Sequence, residues 1–345
     1  MLATFDVDRW LQQKRPAELH VSQPYQTGCW TKLSARQGGG VQHGDNTGLH
    51  PFCLPELPAD LGQGYPEQYI KKADGAAVGV EPVAEAVIRA RMQEQCDVCT
   101  FRNNLKKIFG TPLELKSSWT VDACRIGAIM YLDIHQLPQT TFPDADLFQY
   151  YGYKFEGLST QQSEVDATSE YAALIRLRVD KLRILLAAEI DCFDPKKCQA
   201  GAKPDLASYL ELKTFQLPTS QWKANNIKKF KYPKWWLQSW LAGVPAVVAG
   251  ARDKQGLLQS VEVLPTRQLP YMAANSNVGF DTWQQIHFGN DVLTWMRQLT
   301  DVHKEQHLRF SYQEDQRGHS IQCSVLDEGL LPSRLKTCLQ QSAQQ

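Results

Sequence analysis

Two short acidic phrases near the middle of the chain hold the side chains best suited to chemistry. Glu189 and Asp191 follow one apolar run, and Glu211 and Lys213 stand at the end of another. Because strand side chains alternate between faces, each pair projects from one side of its strand. Two such strands paired side by side would gather three carboxylates and one ammonium. Two carboxylates about 4 Å apart repel by about 4 kcal/mol at an effective dielectric of about 20, so a proton or a hard cation must offset them.

A magnesium ion suits such a cluster, because it prefers oxygen ligands and bridges carboxylates to substrate phosphates. A lysine beside it can hold the attacking water or neutralise charge in a phosphoryl transition state, which is the role we expect for Lys213. The sequence resembles the PD-(D/E)xK nuclease pattern, because Asp191 is followed by a loop and then by Glu211-x-Lys213. The triplet alone is common on solvated strands, so exposed charges at a hairpin are the alternative interpretation.

The bulk composition indicates a folded protein without a strong electrostatic bias. The 345 residues are 43% hydrophobic and 21% charged, enough for one large core or two modest ones. Lys plus Arg and Asp plus Glu number 37 each, so any binding of a polyanion must be local. Nine cysteines without dense regular spacing favour reduced thiols in a cytosolic or nuclear protein. No secretory signal or membrane-spanning stretch is evident.

Hydrophobic periodicity predicts a single mixed α/β domain over residues 1–345, with residues 1–25 and 336–345 as loosely ordered tails. We expect twisted mixed sheets flanked by helices, and irregular structure over residues 1–60. A hairpin that joins Glu189–Asp191 to Glu211–Lys213 is the economical topology. The further elements expected are helices over 81–108, 145–156 and 233–241, and strands over 126–134, 174–179, 182–191 and 246–250.

Four ordered motifs add specificity to the acidic phrases. They are Gly152–Glu156 (GYKFE), Glu189–Asp191 (EID), Glu211–Thr214 (ELKT) and Lys234–Pro245 (KWWLQSWLAGVP). Together they closely resemble the DXO decapping exoribonuclease family, which has a PD-(D/E)xK nuclease-like core. Asp60-Leu61, Gly64–Pro66 and Phe101-Arg102 resemble its upstream motifs, and the resemblance spans about residues 25–335.

The resemblance implies a role for each matching residue. Glu156, Asp191, Glu211 and the Leu212 carbonyl would bind Mg²⁺ or Mn²⁺, with Glu189 contributing directly or through water. Lys213 and Gln238 would contact the scissile phosphate or its nucleotide, with Glu189 beside them. Arg102 would meet the RNA backbone, a task that suits a bidentate guanidinium. Arg36 and Glu81 match two further substrate contacts less closely. The catalytic set is thus Glu156, Glu189, Asp191, Glu211 and Lys213.

The resemblance also implies a function. Family members remove incomplete or non-canonical 5′ caps from RNA, namely unmethylated guanosine, triphosphate and NAD caps, and many degrade RNA from its 5′ end. We therefore expect a metal-dependent RNA 5′-end hydrolase in RNA quality control, located in the nucleus with the cytoplasm as the alternative. Some members bind a nuclear 5′-to-3′ exoribonuclease. A catalytically weak partner of such an exoribonuclease and a DNA nuclease are the rival hypotheses.

Two departures from the family pattern concern how RNA is held. Asn103-Asn104 follow Arg102 where the family usually has glycine, and Pro233 replaces an apolar helix former. A local basic strip, from Lys223 through Lys228, Lys229 and Lys231 to Lys234, has no intervening acid. It is either a contact for RNA phosphates or a solvated face, and the sequence favours neither.

Overall fold

The computed structural model describes residues 1–15, 18–72, 79–92, 95–135, 144–198, 202–315 and 318–327. The strands in chain order are β1 Ala3–Asp6, β2 Tyr25–Lys32, β3 Val41–His43, β4 Ala59–Asp60, β5 Tyr69–Ile70, β6 Val98–Phe101, β7 Trp119–Ile126, β8 Ile129–His135, β9 Val165–Asp166, β10 Glu170–Val179, β11 Leu182–Glu189, β12 Cys192–Phe193, β13 Tyr209–Gln216, β14 Ala246–Arg252, β15 Leu257–Pro265, β16 His307–Asp315 and β17 Gly318–Leu326. The α-helices are α1 Val7–Gln12, α2 Glu81–Arg89, α3 Arg102–Phe109, α4 Ala145–Ser159, α5 Gln221–Phe230, α6 Tyr232–Ala242, α7 Leu269–Ala274 and α8 Thr282–Val302. No helix within these ranges is both long and apolar enough to cross a membrane.

Two mixed sheets dominate the fold. The larger has the order β1-β17-β16-β7-β8-β6-β11-β10-β2-β3, and β6 runs parallel to both of its neighbours. The smaller has the order β12-β13-β14-β15-β4, with β13 parallel to β14. A crossover through α5 and α6 makes this parallel pairing possible, because parallel strands need a long connection. The expected fold class, mixed sheets flanked by helices, is confirmed.

The chain passes from one sheet to the other within the first acidic phrase. Glu189 ends β11 in the large sheet, whereas Cys192 begins the two-residue strand β12 in the small sheet. The hairpin expected between the two phrases is therefore wrong: β12, and not β11, pairs with β13. Buried strands of both sheets carry the same apolar signal, so hydrophobic patterning does not reveal which sheet a strand joins.

One apolar cluster spans both sheets. It includes Val121 and Leu186 from the large sheet and Val247 and Leu264 from the small one. A core shared in this way supports the interpretation of the chain as one domain. The helices expected near 81–108, 145–156 and 233–241 are confirmed as α2 with α3, α4 and α6.

The N-terminal segment is more regular than the sequence indicates. β1 pairs with β17, α1 follows it, and Trp10 on α1 is buried. β2 and β3 also join the large sheet, so residues 1–60 are not purely irregular and residues 3–12 are not a loose tail. β1 and β3 are only three or four residues long, and β2, with the sequence YQTGCWTK, has no sustained apolar alternation, so none of them gives a clear pattern in the sequence. The expected tail over residues 336–345 lies outside the described residues.

Gly289 permits the contact between α8 and α3, the helix that carries Arg102. A Cβ atom at Gly289 would overlap the ring of Phe109, which is fully buried on α3. We expect Gly289→Ala to lower the free energy of unfolding by about 1–3 kcal/mol, because a close-packed core does not accept the extra methyl group. Urea denaturation at equilibrium measures this change.

Gly152 on α4 provides the matched control. Its Cβ position faces open space, so Gly152→Ala should gain about 0.5–1 kcal/mol from helix propensity. Equal effects of the two substitutions would contradict this account of the α3–α8 contact.

Candidate active site

Residues from both sheets and three helices meet at one acidic cleft. Glu189 ends β11, Asp191 lies in the passage to β12, and Glu211 and Lys213 lie on β13. Glu156 belongs to α4, which packs against β13 through Tyr150 and Phe155 in an apolar cluster with Leu212. Arg102 is the first residue of α3 and Gln238 lies on α6. The structure thus brings together seven of the side chains predicted from the sequence.

Glu211 is the hub of this cleft. Its carboxylate is almost fully buried, with 1% of the side chain exposed. Arg102 Nη1 donates to Oε2 at 3.0 Å, while Lys213 Nζ and Gln238 Nε2 both donate to Oε1. Three elements, α3, β13 and α6, therefore meet at one carboxylate. The buried charge is tolerated because two cations and an amide satisfy both of its oxygens.

Asp191 is fixed by the backbone of the neighbouring strand. The Leu212 N–H donates to Asp191 Oδ2 at 2.6 Å, and Lys213 Nζ lies 4.0 Å from the same oxygen. Lys213 Nζ also donates to the Leu212 carbonyl oxygen at 3.0 Å. The ammonium group of Lys213 is thus surrounded by carboxylate oxygens of Asp191 and Glu211 and by the Leu212 carbonyl oxygen. Such oxygen atoms are also suitable ligands for a metal ion.

Glu156, Asp191 and Glu189 repel one another when they are ionised. Burial, followed by the charges of Asp191 and Glu189, raises the pKa of Glu156 well above its ordinary value. Burial and the charge of Glu211 raise the pKa of Asp191 to about 7. Burial would also raise the pKa of Glu211, but Lys213 and Arg102 outweigh it and the net shift is downward. The cations therefore outweigh burial at Glu211, whereas burial and the neighbouring acids outweigh the charge of Lys213 at Glu156 and Asp191.

Glu189 lies at the solvent-exposed edge of the site. Protein atoms surround it, and burial, followed by the charge of Glu170, raises its pKa, yet its side chain remains open to solvent. Glu170 on β10 forms an ion pair with Lys72, whose Nζ lies 2.9 Å from its Oε2. Sequence reasoning missed both residues. Ala172 pairs with Glu189 across the sheet, and Glu170 lies two residues along the same face, so only the strand register reveals the contact.

Arg36 and Glu81 do not join this cluster through any hydrogen bond within the described part of the chain. Arg36 is exposed in a short 3₁₀ helix and pairs with Glu164. Glu81 is the first residue of α2. Trp235 and Trp236 on α6 are buried in the core. The basic strip follows α5 and the start of α6, and α5 itself has no buried residue.

The donor set fits a divalent cation. Among the described residues, no three acids already converge on one point, because Glu211 is held by its cationic neighbours and Asp191 by the Leu212 N–H. However, Glu156 and Asp191, whose pKa values are raised, lie beside Glu189 and need further positive charge when they are ionised. All of these side chains offer oxygen atoms, which Mg²⁺ and Mn²⁺ prefer.

Comparisons with known proteins identify the family of this chain. A sequence profile of the RAI1 like PD-(D/E)XK nuclease family matches residues 22–337. The chain belongs to this family. The "Decapping and exoribonuclease protein" of Mus musculus is 28% identical over 295 residues, which cover 78% of this chain and 70% of that protein. The RAI1-like family assignment makes the chain a nuclease, and so a hydrolase.

Solved structures of the RAI1-like family share the fold. The structure of S. pombe Rai1 in complex with 3′-FADP has a TM-score of 0.79 and 22% identity, and the match covers 94% of this chain and 100% of that one. Candida albicans Rai1 in complex with pU5-Mn²⁺ has a TM-score of 0.79 and 19% identity, with coverage of 94% and 96%. At sequence identities this low, the similarity of these structures establishes only the fold of this chain.

Neutralising Glu156 should separate stability from cation binding. In chelator, we expect Glu156→Gln to raise the free energy of unfolding by about 1 kcal/mol, because the amide removes repulsion from Asp191 and Glu189. Added Mn²⁺ should raise the melting temperature of the unsubstituted protein and raise that of the variant much less. Differential scanning calorimetry with and without Mn²⁺ measures both effects.

The exposed residue Glu262 on β15 offers a matched control in the small sheet. Glu262→Gln should leave the Mn²⁺-dependent shift unchanged. If Glu156→Gln kept the full shift as well, Glu156 would not be a ligand.

Proposed function

We propose that this nuclease is a Mg²⁺- or Mn²⁺-dependent RNA 5′-end hydrolase. It removes incomplete or non-canonical caps, namely unmethylated guanosine, triphosphate and NAD caps, and degrades RNA from the 5′ end. The observation that carries the proposal is the buried carboxylate of Glu211, which Arg102 and Lys213 hold beside two acids, Glu156 and Asp191, whose pKa values are raised. A phosphate bound between a metal and a cationic wall is the arrangement that phosphoryl transfer requires.

The comparisons support this choice of substrate. The mouse relative is named for decapping and for exoribonuclease activity. The S. pombe neighbour was solved with 3′-FADP, and the C. albicans neighbour with pU5-Mn²⁺. A dinucleotide with a pyrophosphate and a short 5′-phosphorylated RNA are both ligands with a 5′ phosphate group. One site can act on several 5′ ends because hydrolysis occurs at phosphorus, whatever group leaves.

Each residue then has a proposed task. Glu156, Asp191, Glu211 and the Leu212 carbonyl hold the cation, with Glu189 beside them. When bound, the cation polarises the phosphate and lowers the pKa of a water molecule. Lys213 holds that water or stabilises charge on the phosphoryl oxygens, since its ammonium stays protonated: burial would lower its pKa, but Glu211 and Asp191 outweigh it and raise it. Arg102 and Gln238 bind the RNA backbone.

Glu211→Gln should reduce kcat/KM by about 100-fold or more on every RNA 5′ end that the protein hydrolyses. The amide cannot hold both the cation and the charged groups of Arg102 and Lys213. A panel of triphosphate, unmethylated-cap, methylated-cap, NAD-capped and monophosphate RNAs, each with Mg²⁺ and with a chelator, measures the effect and ranks the substrates.

Glu262→Gln serves again as the control and should retain full activity. Full activity of Glu211→Gln on any of these RNAs would contradict the assignment. Matched single-stranded DNA tests the alternative of a DNA nuclease, because a preference for the 2′-hydroxyl marks an RNA enzyme. RNA binding without metal-stimulated turnover would favour the alternative of a catalytically weak partner protein.

We also propose that the protein acts in the nucleus and binds a nuclear 5′-to-3′ exoribonuclease. The support is the resemblance to a family in which some members bind such an enzyme. The expected result is a nuclear signal for the tagged full chain and recovery of an exoribonuclease by affinity purification from nuclear extract. A purely cytoplasmic signal and the absence of an exoribonuclease from the purified fraction would overturn this proposal.

A further inference from the structure

Lys106 is a side chain of the cleft to which neither the sequence motifs nor the proposed mechanism gives a task. It lies on α3 one turn after Arg102, and residues four apart on a helix share a face. Its Nζ donates to Gln238 Oε1 at 3.1 Å. Lys106 therefore reaches the same cluster as Arg102 from the same helix, although it does not touch Glu211.

The contact fixes the orientation of the Gln238 amide. Gln238 Nε2 donates to Glu211, so its Oε1 must point away from that carboxylate. A cation at Oε1 favours this orientation, because a flipped amide would place its NH₂ group against an ammonium. Lys106 is thus a positioning residue for Gln238.

A neutral donor would be enough to orient Gln238, so the positive charge of Lys106 is not needed for that task. Among the described residues it forms no salt bridge, whereas Arg102 and Lys213 are both paired with Glu211. Three cations consequently surround one carboxylate on this side of the cleft. Burial, followed by repulsion from Arg102 and Lys213, lowers the pKa of Lys106 to about 8. A cation held against such repulsion is poised to bind an anion.

The position is accessible to a ligand. Lys106 is only partly buried, and it also lines a surface cavity between α3 and α6. Lys107, Lys234 and Glu114 line the same cavity, and Glu114 is paired with Lys234, so among the residues described the ammonium of Lys106 keeps its charge unpaired there. An anion can therefore approach its ammonium from the solvent side while Gln238 holds it from the inner side. The remaining N–H groups of the ammonium are available for that anion, since a lysine has three donors.

We propose that Lys106 binds a phosphate oxygen of the RNA substrate, beside the phosphate that Arg102 and Lys213 hold, while it orients Gln238. This inference rests on the proposed function, because it takes RNA as the ligand. It adds a fourth polar group, carried by α3, to the three that hold Glu211. The role differs from positioning alone, since a phosphate contact depends on charge.

The test measures binding of 5′-triphosphorylated single-stranded RNA by fluorescence anisotropy at several salt concentrations. An Asp191→Asn background with chelator prevents hydrolysis. We expect Lys106→Met to weaken binding about 10-fold, the usual loss for one charge-assisted contact. The slope of log K against log salt should become shallower by about 0.7, because one fewer phosphate is neutralised on a single strand. Lys106→Arg should restore both values.

Two further variants keep the test decisive. Lys106→Gln retains a donor for Gln238 without the charge, and it should behave like Lys106→Met. Lys116→Met removes an exposed lysine from the turn after α3 and should change neither value. Melting temperatures verify that each variant is folded.

The outcomes separate the inference from the proposed function. Failure of the unsubstituted protein to hydrolyse any RNA 5′ end with Mg²⁺ would overturn the proposed function. Equal affinity of the Asp191→Asn protein with and without Lys106→Met would overturn the role of Lys106 alone. Weaker binding with an unchanged salt slope, or full affinity in Lys106→Gln, would show that Lys106 acts only by positioning Gln238 and would also overturn the phosphate contact.

Discussion

The buried carboxylate of Glu211 is the constraint on which the rest of the site depends. A charge that is almost wholly removed from water is stable only with excellent partners, and here they come from α3, β13 and α6. Each partner fixes the helix or strand that carries it. The α3–α8 contact at Gly289, the crossover from β13 to β14 and the start of α6 at Pro233 can therefore be understood as the framework that brings these groups to one carboxylate.

The chemistry of the cleft follows from an unequal distribution of charge. Glu211 has partners for both oxygens and a lowered pKa, whereas Glu156 and Asp191 face other acids and have raised pKa values. A site that were neutral throughout would bind neither a cation nor a phosphate strongly. Cations and further acids gathered around one shared carboxylate allow a metal ion and a phosphate to bind close together, as phosphoryl transfer demands.

Much of this arrangement could be predicted from the sequence. The two acidic phrases were identifiable from their spacing, and the resemblance to the DXO family added Glu156 and Gln238, which lie on the expected helices α4 and α6. The hairpin was wrong because pattern alone does not reveal that the chain changes sheets between Glu189 and Cys192. Lys106 could have been found from its spacing of four residues from Arg102. The pair of Lys72 and Glu170 could not, because a contact between distant segments depends on strand register.

The pairing of β1 with β17 affects how the protein folds during translation. Residues 3–6 pair with residues 320–323, so β1 must wait unpaired until β17 has been translated. Until then the edges of β1 and β16 stay unpaired, although all the residues of the cleft, from 102 to 238, have already been translated. Such long-range closure makes folding slow and leaves strand edges open to aggregation on the ribosome. We therefore expect the chain to depend on chaperones during synthesis, even though the residues of its cleft are translated well before β17.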